Sequence, residues 1–131
     1  MKPSIRSTRQ TPLTTLNFER YFVYELRKEV HLPFQFILCL TSTATHYRRE
    51  IPNITFLPLI GTGRYADHDP YRVPLKPGQE GGSRIITRLY VAIDGIQTIG
   101  KGAFLPSDLG RITPQEEKEV REKLRIWLGI I

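Results

Sequence analysis

Three consecutive residues, Asp67, His68 and Asp69, have the side chains best suited to binding a metal ion. Carboxylates and imidazoles are common ligands of divalent metals. Neighbouring residues of an extended chain point in different directions, so a site needs a bent loop or further ligands such as His46 or Glu50. Alternatively, the two aspartates organise turns, as short carboxylates often do. The sequence predicts no cofactor, and a divalent metal at residues 67–69 is the alternative left open.

A second group combines cations with an aromatic ring, which is the combination that binds single-stranded nucleic acid. Aromatic rings stack on bases while cations follow the phosphates. The predicted nucleic-acid-binding residues are Arg48, Arg49, Arg64, Arg72, Arg84, Arg88, Tyr90 and Lys101. Apolar residues such as Ile99 are expected on the same sheet face as Tyr90, so a helix or a second copy of the chain is the alternative cover for that face.

Two further features point away from familiar enzyme motifs. Gly61 and Gly63 follow an apolar run, but the third glycine of a dinucleotide site and the Gly-Lys-Ser/Thr of a phosphate loop are missing, which indicates turn glycines. Cys39 lies in the apolar run FILCL and is expected to be a small buried hydrophobe. A single cysteine also excludes an intrachain disulfide and a thiolate zinc cluster.

The overall composition is that of a basic globular protein. The 131 residues include 19 Lys and Arg against 13 Asp and Glu, which gives a formal charge of +6. This excess favours polyanionic partners, among them nucleic acid. No apolar run has the length of a membrane span and the N-terminus lacks the apolar core of a signal peptide, so a soluble cytoplasmic protein is expected.

The segment 84–104 contains the sequence's clearest local pattern. Two β-branched apolar runs flank Asp94-Gly95, a residue pair typical of a two-residue type I′ turn. The pattern predicts a β-hairpin in which Ile93 faces Ile96. The same register places Arg88 opposite Lys101, and these two cations would repel unless solvent, a carboxylate or a bound anion lies between them.

Four other segments have recognisable patterns. Residues 16–31 have an apolar stripe with helical spacing, which predicts a helix, although alternate positions are also apolar as in a strand. Three residues lie on the flank of this helix, Tyr21, Tyr24 and Lys28. They either form an amphipathic border or contact an aromatic ligand. Residues 34–41 and 54–60 are expected strands, the second at an edge or bulge because of Pro58. Thr113 to Glu116 matches a capping box that opens a helix ending at Gly129.

Together these elements predict an α+β fold: one domain with about four mostly antiparallel strands and an N-terminal and a C-terminal helix packed on the sheet. Residues 1–14 are expected to form a flexible basic arm, residues 15–131 the domain, and residues 61–83 a long irregular loop.

The function that the sequence favours is a non-enzymatic module that contacts nucleic acid. One alternative is a homo-oligomeric structural or assembly protein that associates through the hairpin face. A second alternative is a metal-dependent hydrolase or nuclease that uses residues 67–69.

Overall fold

The computed structural model describes residues 17–42, 52–61 and 68–130. These residues contain seven strands and one α-helix. The strands are β1 (Phe22–Leu26), β2 (Phe36–Cys39), β3 (Asn53–Ile60), β4 (Arg72–Leu75), β5 (Leu89–Ala92), β6 (Gln97–Gly100) and β7 (Phe104–Arg111), and α1 spans Pro114–Leu128.

The seven strands form one antiparallel sheet. Its order is β4-β5-β3-β2-β1-β7, and β6 pairs with β3 on the side where β5 also pairs. The two strands at the ends of this order, β4 and β7, carry Pro74 and Pro106. The α+β class is therefore confirmed, but the predicted arrangement of four strands with helices at both ends is wrong, because seven strands and a single C-terminal helix are present.

Apolar side chains cover both faces of this sheet. On one face, Leu38, Leu57 and Val91 form a buried cluster together with Val120 of α1. On the other face, a second buried cluster is closed by Phe18, which precedes β1, and by the partly buried connection between β1 and β2. Its buried members are Phe18, Tyr24, Leu26, Ile37, Cys39, Ile54, Phe56 and Phe104. The central strands thus bury side chains in both directions.

This two-sided burial explains why the predicted helix over residues 16–31 is wrong. Residues 22–26 form β1, which pairs with β2 on one side and with β7 on the other. Val23 points into the first cluster while Tyr24 and Leu26 point into the second. A strand that is apolar on both faces has a nearly continuous apolar run, and such a run also satisfies helical spacing.

The predicted hairpin around Asp94 and Gly95 is also wrong. Residues 93–95 form a 3-10 turn, and β5 and β6 run one after the other along β3 instead of pairing with each other. In β3, Leu59 pairs with Val91 and Phe56 pairs with Gln97. The segment from Val91 to Gln97 is longer than the segment of β3 opposite it, and the turn accommodates the additional residues. A Cβ at Gly95 would lie 3.1 Å from the ring of Pro58, so the glycine permits this close approach.

Pro58 accounts for the position of this excursion. Proline has no amide hydrogen to donate to a neighbouring strand, and its ring occupies space on that side. The prediction of an edge position for this strand is wrong, because β3 is central; the extra residues lie opposite Pro58, between Val91 and Gln97. The two other predicted strands correspond to β2 and β3.

The C-terminal helix begins and ends as its sequence predicts. The backbone N–H of Glu116 donates to Thr113 Oγ1 at 3.1 Å, and the N–H of Thr113 donates to Glu116 Oε1 at 2.9 Å. Gly129 closes the helix with a φ of +70°. Glu116 also accepts a hydrogen bond of 3.1 Å from the side chain of Gln79, so it connects the helix to the loop after β4.

The domain boundaries stay a prediction. The basic arm at residues 1–14 lies outside the described residues, and β4 falls within the range expected to be an irregular loop. No helix in the described part of the chain is long and apolar enough to cross a membrane.

Replacing Glu116 with alanine should destabilise the protein, because it removes one half of the capping box and the bond to the 76–79 loop. We expect the free energy of unfolding to fall by about 2 kcal/mol, measured by urea denaturation. Glu122→Ala, at an exposed position of the same helix, is the control and should change it by less than about 0.5 kcal/mol. Equal effects of both substitutions would show that Glu116 has no special role.

Candidate functional site

One cavity lies beside the connection between β1 and β2. Its volume is about 570 Å³, and residues between Glu25 and Gln35 line it. Its lining includes the two cations Arg27 and Lys28 and the carboxylate of Glu25, while Val30, Leu32 and Phe34 supply apolar surface. A cavity with grouped cations and apolar surface is suited to an anionic ligand that also carries rings.

The connection that forms this wall is fixed to the body of the protein. Its aromatic residue Phe34 packs at 5.8 Å, ring centre to ring centre, against Phe56 of β3. The backbone N–H of Arg27 donates to the carbonyl of Ala103 at 2.9 Å, and Arg27 Nε donates to the carbonyl of Gly102 at 3.1 Å. The Nε bond therefore holds the guanidinium of this lining residue in place, and the guanidinium keeps further N–H donors.

A second, smaller cavity of about 160 Å³ shares one wall residue, Glu25, with the first. It is mostly apolar, with Phe36 of β2 and Leu109 of β7 among its lining residues, and Arg84 adds a cation. Glu25 pairs across the ladder with Phe36 and accepts a hydrogen bond of 2.6 Å from Gln35 Nε2. A carboxylate thus lies between a cationic cavity and an apolar one.

The structure brings together only part of the predicted nucleic-acid-binding set. Arg84 and Arg88 are exposed on the segment that precedes β5, and the guanidinium of Arg88 lies 5.4 Å from the ring centre of Tyr90. Tyr90 and Lys101 are buried, each 2% exposed. Arg48, Arg49 and Arg64 lie outside the described residues. The predicted Arg88–Lys101 pairing does not form, because β5 and β6 are not partners.

Arg72, the remaining member of that set, belongs to an ion-pair network. Its guanidinium lies 2.6 Å from Asp94 Oδ1 and 3.9 Å from Asp69 Oδ2. Asp69 Oδ1 also accepts a hydrogen bond of 2.8 Å from the backbone N–H of Tyr71. Asp69 therefore organises the turn before β4.

The predicted metal site is only partly described. Asp67 lies outside the described residues, and His68 is exposed. Within residues 17–42, 52–61 and 68–130, no three His, Cys, Asp or Glu side chains are grouped so that they could hold a metal ion.

Two buried titratable groups lie away from both cavities. Burial raises the pKa of the Cys39 thiol from 9.0 to about 12, and its Sγ contacts the carbonyl of Thr41 at 2.9 Å. Burial also raises the pKa of the Tyr24 hydroxyl. Cys39 fills space in the second core cluster, and a thiol held in its neutral form is a poor nucleophile.

Of the residues that line the two cavities, the sequence predicts a binding role for Arg84 and, as one alternative, for Lys28. It predicts a helix over residues 16–31, which contains Glu25 and Arg27, and indicates no site there. One signal could have indicated them: charged residues directly follow the apolar run of β1, and Pro33 then prevents an early return strand. Cavities commonly form at such strand ends.

Comparisons with solved structures identify proteins of the same fold. An endoribonuclease from a mycobacterial species, solved with its cognate antitoxin, has a TM-score of 0.63 at 24% identity, covering 86% of this chain and 96% of that one. A second mycobacterial endoribonuclease has a TM-score of 0.60 at 25% identity, covering 85% and 90%.

MazF from Deinococcus radiodurans has a TM-score of 0.65 at 18% identity, covering 87% of this chain and 98% of that one. The chain therefore has a MazF-like fold. No protein-family model matches the sequence, and no curated protein matches it.

These likenesses overturn the prediction of a non-enzymatic nucleic-acid-binding module. Solved chains that match this one over nearly their whole length are endoribonucleases, which are enzymes that act on RNA. The error arose because basic charge and exposed aromatic residues are shared by proteins that only bind RNA and by proteins that cut it.

The buried thiol of Cys39 should be unreactive in the folded protein. At pH 8 a thiol reagent should modify the native chain at least about tenfold more slowly than the urea-unfolded chain, because only the thiolate reacts. The unfolded chain loses this proton at a lower pH than the folded chain, so stability should fall as pH rises from about 9 towards 12. Cys39→Ala should weaken that fall; equally fast labelling of the native protein would contradict the prediction.

Proposed function

We propose that this chain is an endoribonuclease of the MazF type, a toxin that cuts single-stranded RNA. The observation that carries the proposal is the match to endoribonucleases over at least 85% of this chain and 90% of those chains. Fold alone does not define activity. The cationic cavity at the β1–β2 connection is the second support, because it offers a place for a phosphate next to a base.

The reaction proposed uses the RNA's own 2′-hydroxyl as nucleophile. Its oxygen attacks the adjacent phosphorus, the bond from phosphorus to the 5′-oxygen breaks, and the products end in a 2′,3′-cyclic phosphate and a 5′-hydroxyl. The 2′-hydroxyl loses a proton and the departing 5′-oxygen gains one. Negative charge accumulates on the phosphoryl oxygens in the transition state, and fixed cations stabilise it.

We assign to Arg27 and Lys28 the role of stabilising this negative charge on the phosphoryl oxygens. The guanidinium of Arg27 is oriented before RNA binds, because its Nε donates to the carbonyl of Gly102 in the 101–103 turn. Lys28 is exposed at the turn that follows β1 and adds a mobile positive charge. A fixed guanidinium and a nearby ammonium together suit a phosphodiester better than either cation alone.

A protein partner is part of the proposal. The mycobacterial endoribonuclease was solved with its cognate antitoxin. We assign an antitoxin to this chain as well, since an active ribonuclease must be restrained in the cell that makes it. Production of the chain alone should then slow the growth of a bacterial host.

We also propose that two copies of the chain associate through the end of α1. Ile126, Trp127, Leu128 and Ile130 are 45–63% exposed there, although large apolar side chains are normally covered. Carboxylates such as Glu119 lie towards the start of the helix and Arg125 lies near its end. Two antiparallel copies of α1 would place these unlike charges side by side, as a two-fold symmetric pair requires.

The purified chain should cut a single-stranded RNA and leave the DNA of the same sequence intact, because DNA lacks the 2′-hydroxyl. Lys28→Ala should lower kcat/KM for RNA by about tenfold or more, since it removes a charge that stabilises the transition state. Gel separation of end-labelled oligonucleotides measures both effects.

The control for this experiment is Lys118→Ala, which removes an equal charge from an exposed position on α1 and should leave cleavage unchanged. Absence of RNA cleavage, or equal cutting of RNA and DNA, would refute the proposed function. An equal loss from both lysine variants would refute the assignment of Lys28.

The wild-type chain should have the mass of a dimer by light scattering at micromolar concentration. Placing lysines at both Ile126 and Ile130 should shift it to a monomer, because charges would replace apolar contacts at the interface. Ile86→Lys alters another exposed isoleucine, 90% exposed before β5, and should leave the mass unchanged. A monomeric wild-type protein would exclude this interface.

A further inference from the structure

The smaller cavity, beside Glu25, has the size of one aromatic ring. Its volume of about 160 Å³ is close to that of the cavities of about 150 Å³ that hold benzene in other proteins. Phe36, Leu89 and Leu109 contribute apolar surface, and the aromatic ring of Phe36 can stack on another ring. A single-ring base therefore matches this volume more closely than a two-ring purine does.

Two charged side chains of this cavity, Glu25 and Arg84, are each held by a hydrogen bond, and they suit different parts of one nucleotide. Gln35 Nε2 donates to Glu25 Oε2 at 2.6 Å and so orients the carboxylate. A carboxylate only accepts hydrogen bonds, so it favours a base that presents an amino group. Arg84 contributes a guanidinium that is 67% exposed, and its Nη2 donates to the carbonyl of Asp108 at 2.8 Å and lies 3.7 Å from Asp108 Oδ1. That exposed cation suits the phosphate of the same nucleotide.

We propose that this cavity is a cytosine-binding subsite for single-stranded RNA, in which Glu25 determines the base preference. The inference rests on the proposed ribonuclease function. The base stacks on Phe36, its N4 amino group donates to the Glu25 carboxylate, and its phosphate lies at Arg84. Acceptance of the cytosine N4 hydrogens by a carboxylate is an established pairing in nucleic-acid recognition.

The same geometry rejects uracil. Uracil has a carbonyl oxygen where cytosine has the amino group, so a carboxylate would face an acceptor and lose its hydrogen bond. Ile86 lies at the cavity and is 90% exposed. A bound base would cover part of that side chain, which adds apolar contact for any pyrimidine. Discrimination between the two pyrimidines therefore depends on Glu25, and affinity for both depends on Phe36 and Ile86.

The position of the subsite relative to the first cavity is consistent with cleavage. Glu25 lines both cavities, so the smaller cavity adjoins the one that Arg27 and Lys28 line. A nucleotide bound there would place its neighbouring phosphodiester within the cationic cavity. Base recognition and bond cleavage then involve adjacent parts of one RNA strand.

The test begins with a pool of random-sequence RNA digested by the wild-type chain, followed by sequencing of the new ends. Cytosine should be enriched at one fixed position relative to the cut. Two oligonucleotides that differ only by cytosine or uracil at that position should then differ in kcat/KM by about tenfold or more. Glu25→Gln should reduce this ratio to about twofold or less, because an amide can also donate to uracil.

Glu29→Gln is the matched control, since it makes the same change at an exposed position of the same connection, and it should keep the wild-type ratio. No enrichment of cytosine, or a ratio that survives Glu25→Gln, would overturn the subsite. Equal loss of cleavage for both oligonucleotides in Glu25→Gln would also overturn it, because Glu25 would then serve the reaction and not the choice of base.

A binding measurement separates this inference from the proposed function. Fluorescent oligocytidylate should bind more tightly than oligouridylate, and Glu25→Gln should remove the difference. If the wild-type chain cuts no RNA but shows this binding preference, the ribonuclease proposal fails while the subsite stands. Equal affinity for the two oligonucleotides, whether or not RNA is cut, overturns the subsite.

Discussion

The missing amide hydrogen of Pro58 is the constraint on which the arrangement of the sheet depends. Pro58 lies in the middle of β3 and prevents continuous pairing with the strand beside it. Opposite Pro58 the chain forms the 3-10 turn at residues 93–95, and β5 and β6 pair with β3 on either side of that turn. On this side, β3 therefore pairs with two short strands instead of one long strand.

The same turn provides the attachment for the next parts of the structure. The backbone N–H of Ile93 donates to the carbonyl of Tyr71 at 3.0 Å, and Asp94 pairs with Arg72 at the start of β4. Tyr71 then contacts Trp127 of α1 with ring centres 5.0 Å apart. The turn opposite Pro58, between β5 and β6, thus helps to hold β4 and the end of α1 in place.

Local signals in the sequence predicted local structure well and long-range pairing poorly. The start and end of α1 were predictable because the capping hydrogen bonds of Thr113, Glu116 and Gly129 join residues that lie within about one helical turn in the sequence. The Asp94-Gly95 pair is also a local signal, and it fits a hairpin turn. The two strands beside it nevertheless pair with β3 and not with each other. Pro58, more than thirty residues earlier in the sequence, decides between these outcomes, and short-range patterns contain no information about it.

The candidate site was less predictable for a related reason. Its residues become neighbours only when β1, β2 and β7 lie side by side, which brings Glu25, Phe36 and Leu109 together. Composition could favour a polyanionic partner only as a class, because net charge does not depend on the fold. It could not distinguish Lys101, which is buried, from Arg84, which is exposed.

Proline also occurs in both strands that end the sheet order, at Pro74 in β4 and Pro106 in β7. A strand at a sheet edge exposes backbone groups that can recruit an edge strand from another molecule, and proline interrupts that hydrogen-bonding pattern. These two residues therefore oppose uncontrolled growth of the sheet into aggregates. The proposed contact through the exposed apolar end of α1 would then form without competing sheet growth at β4 and β7.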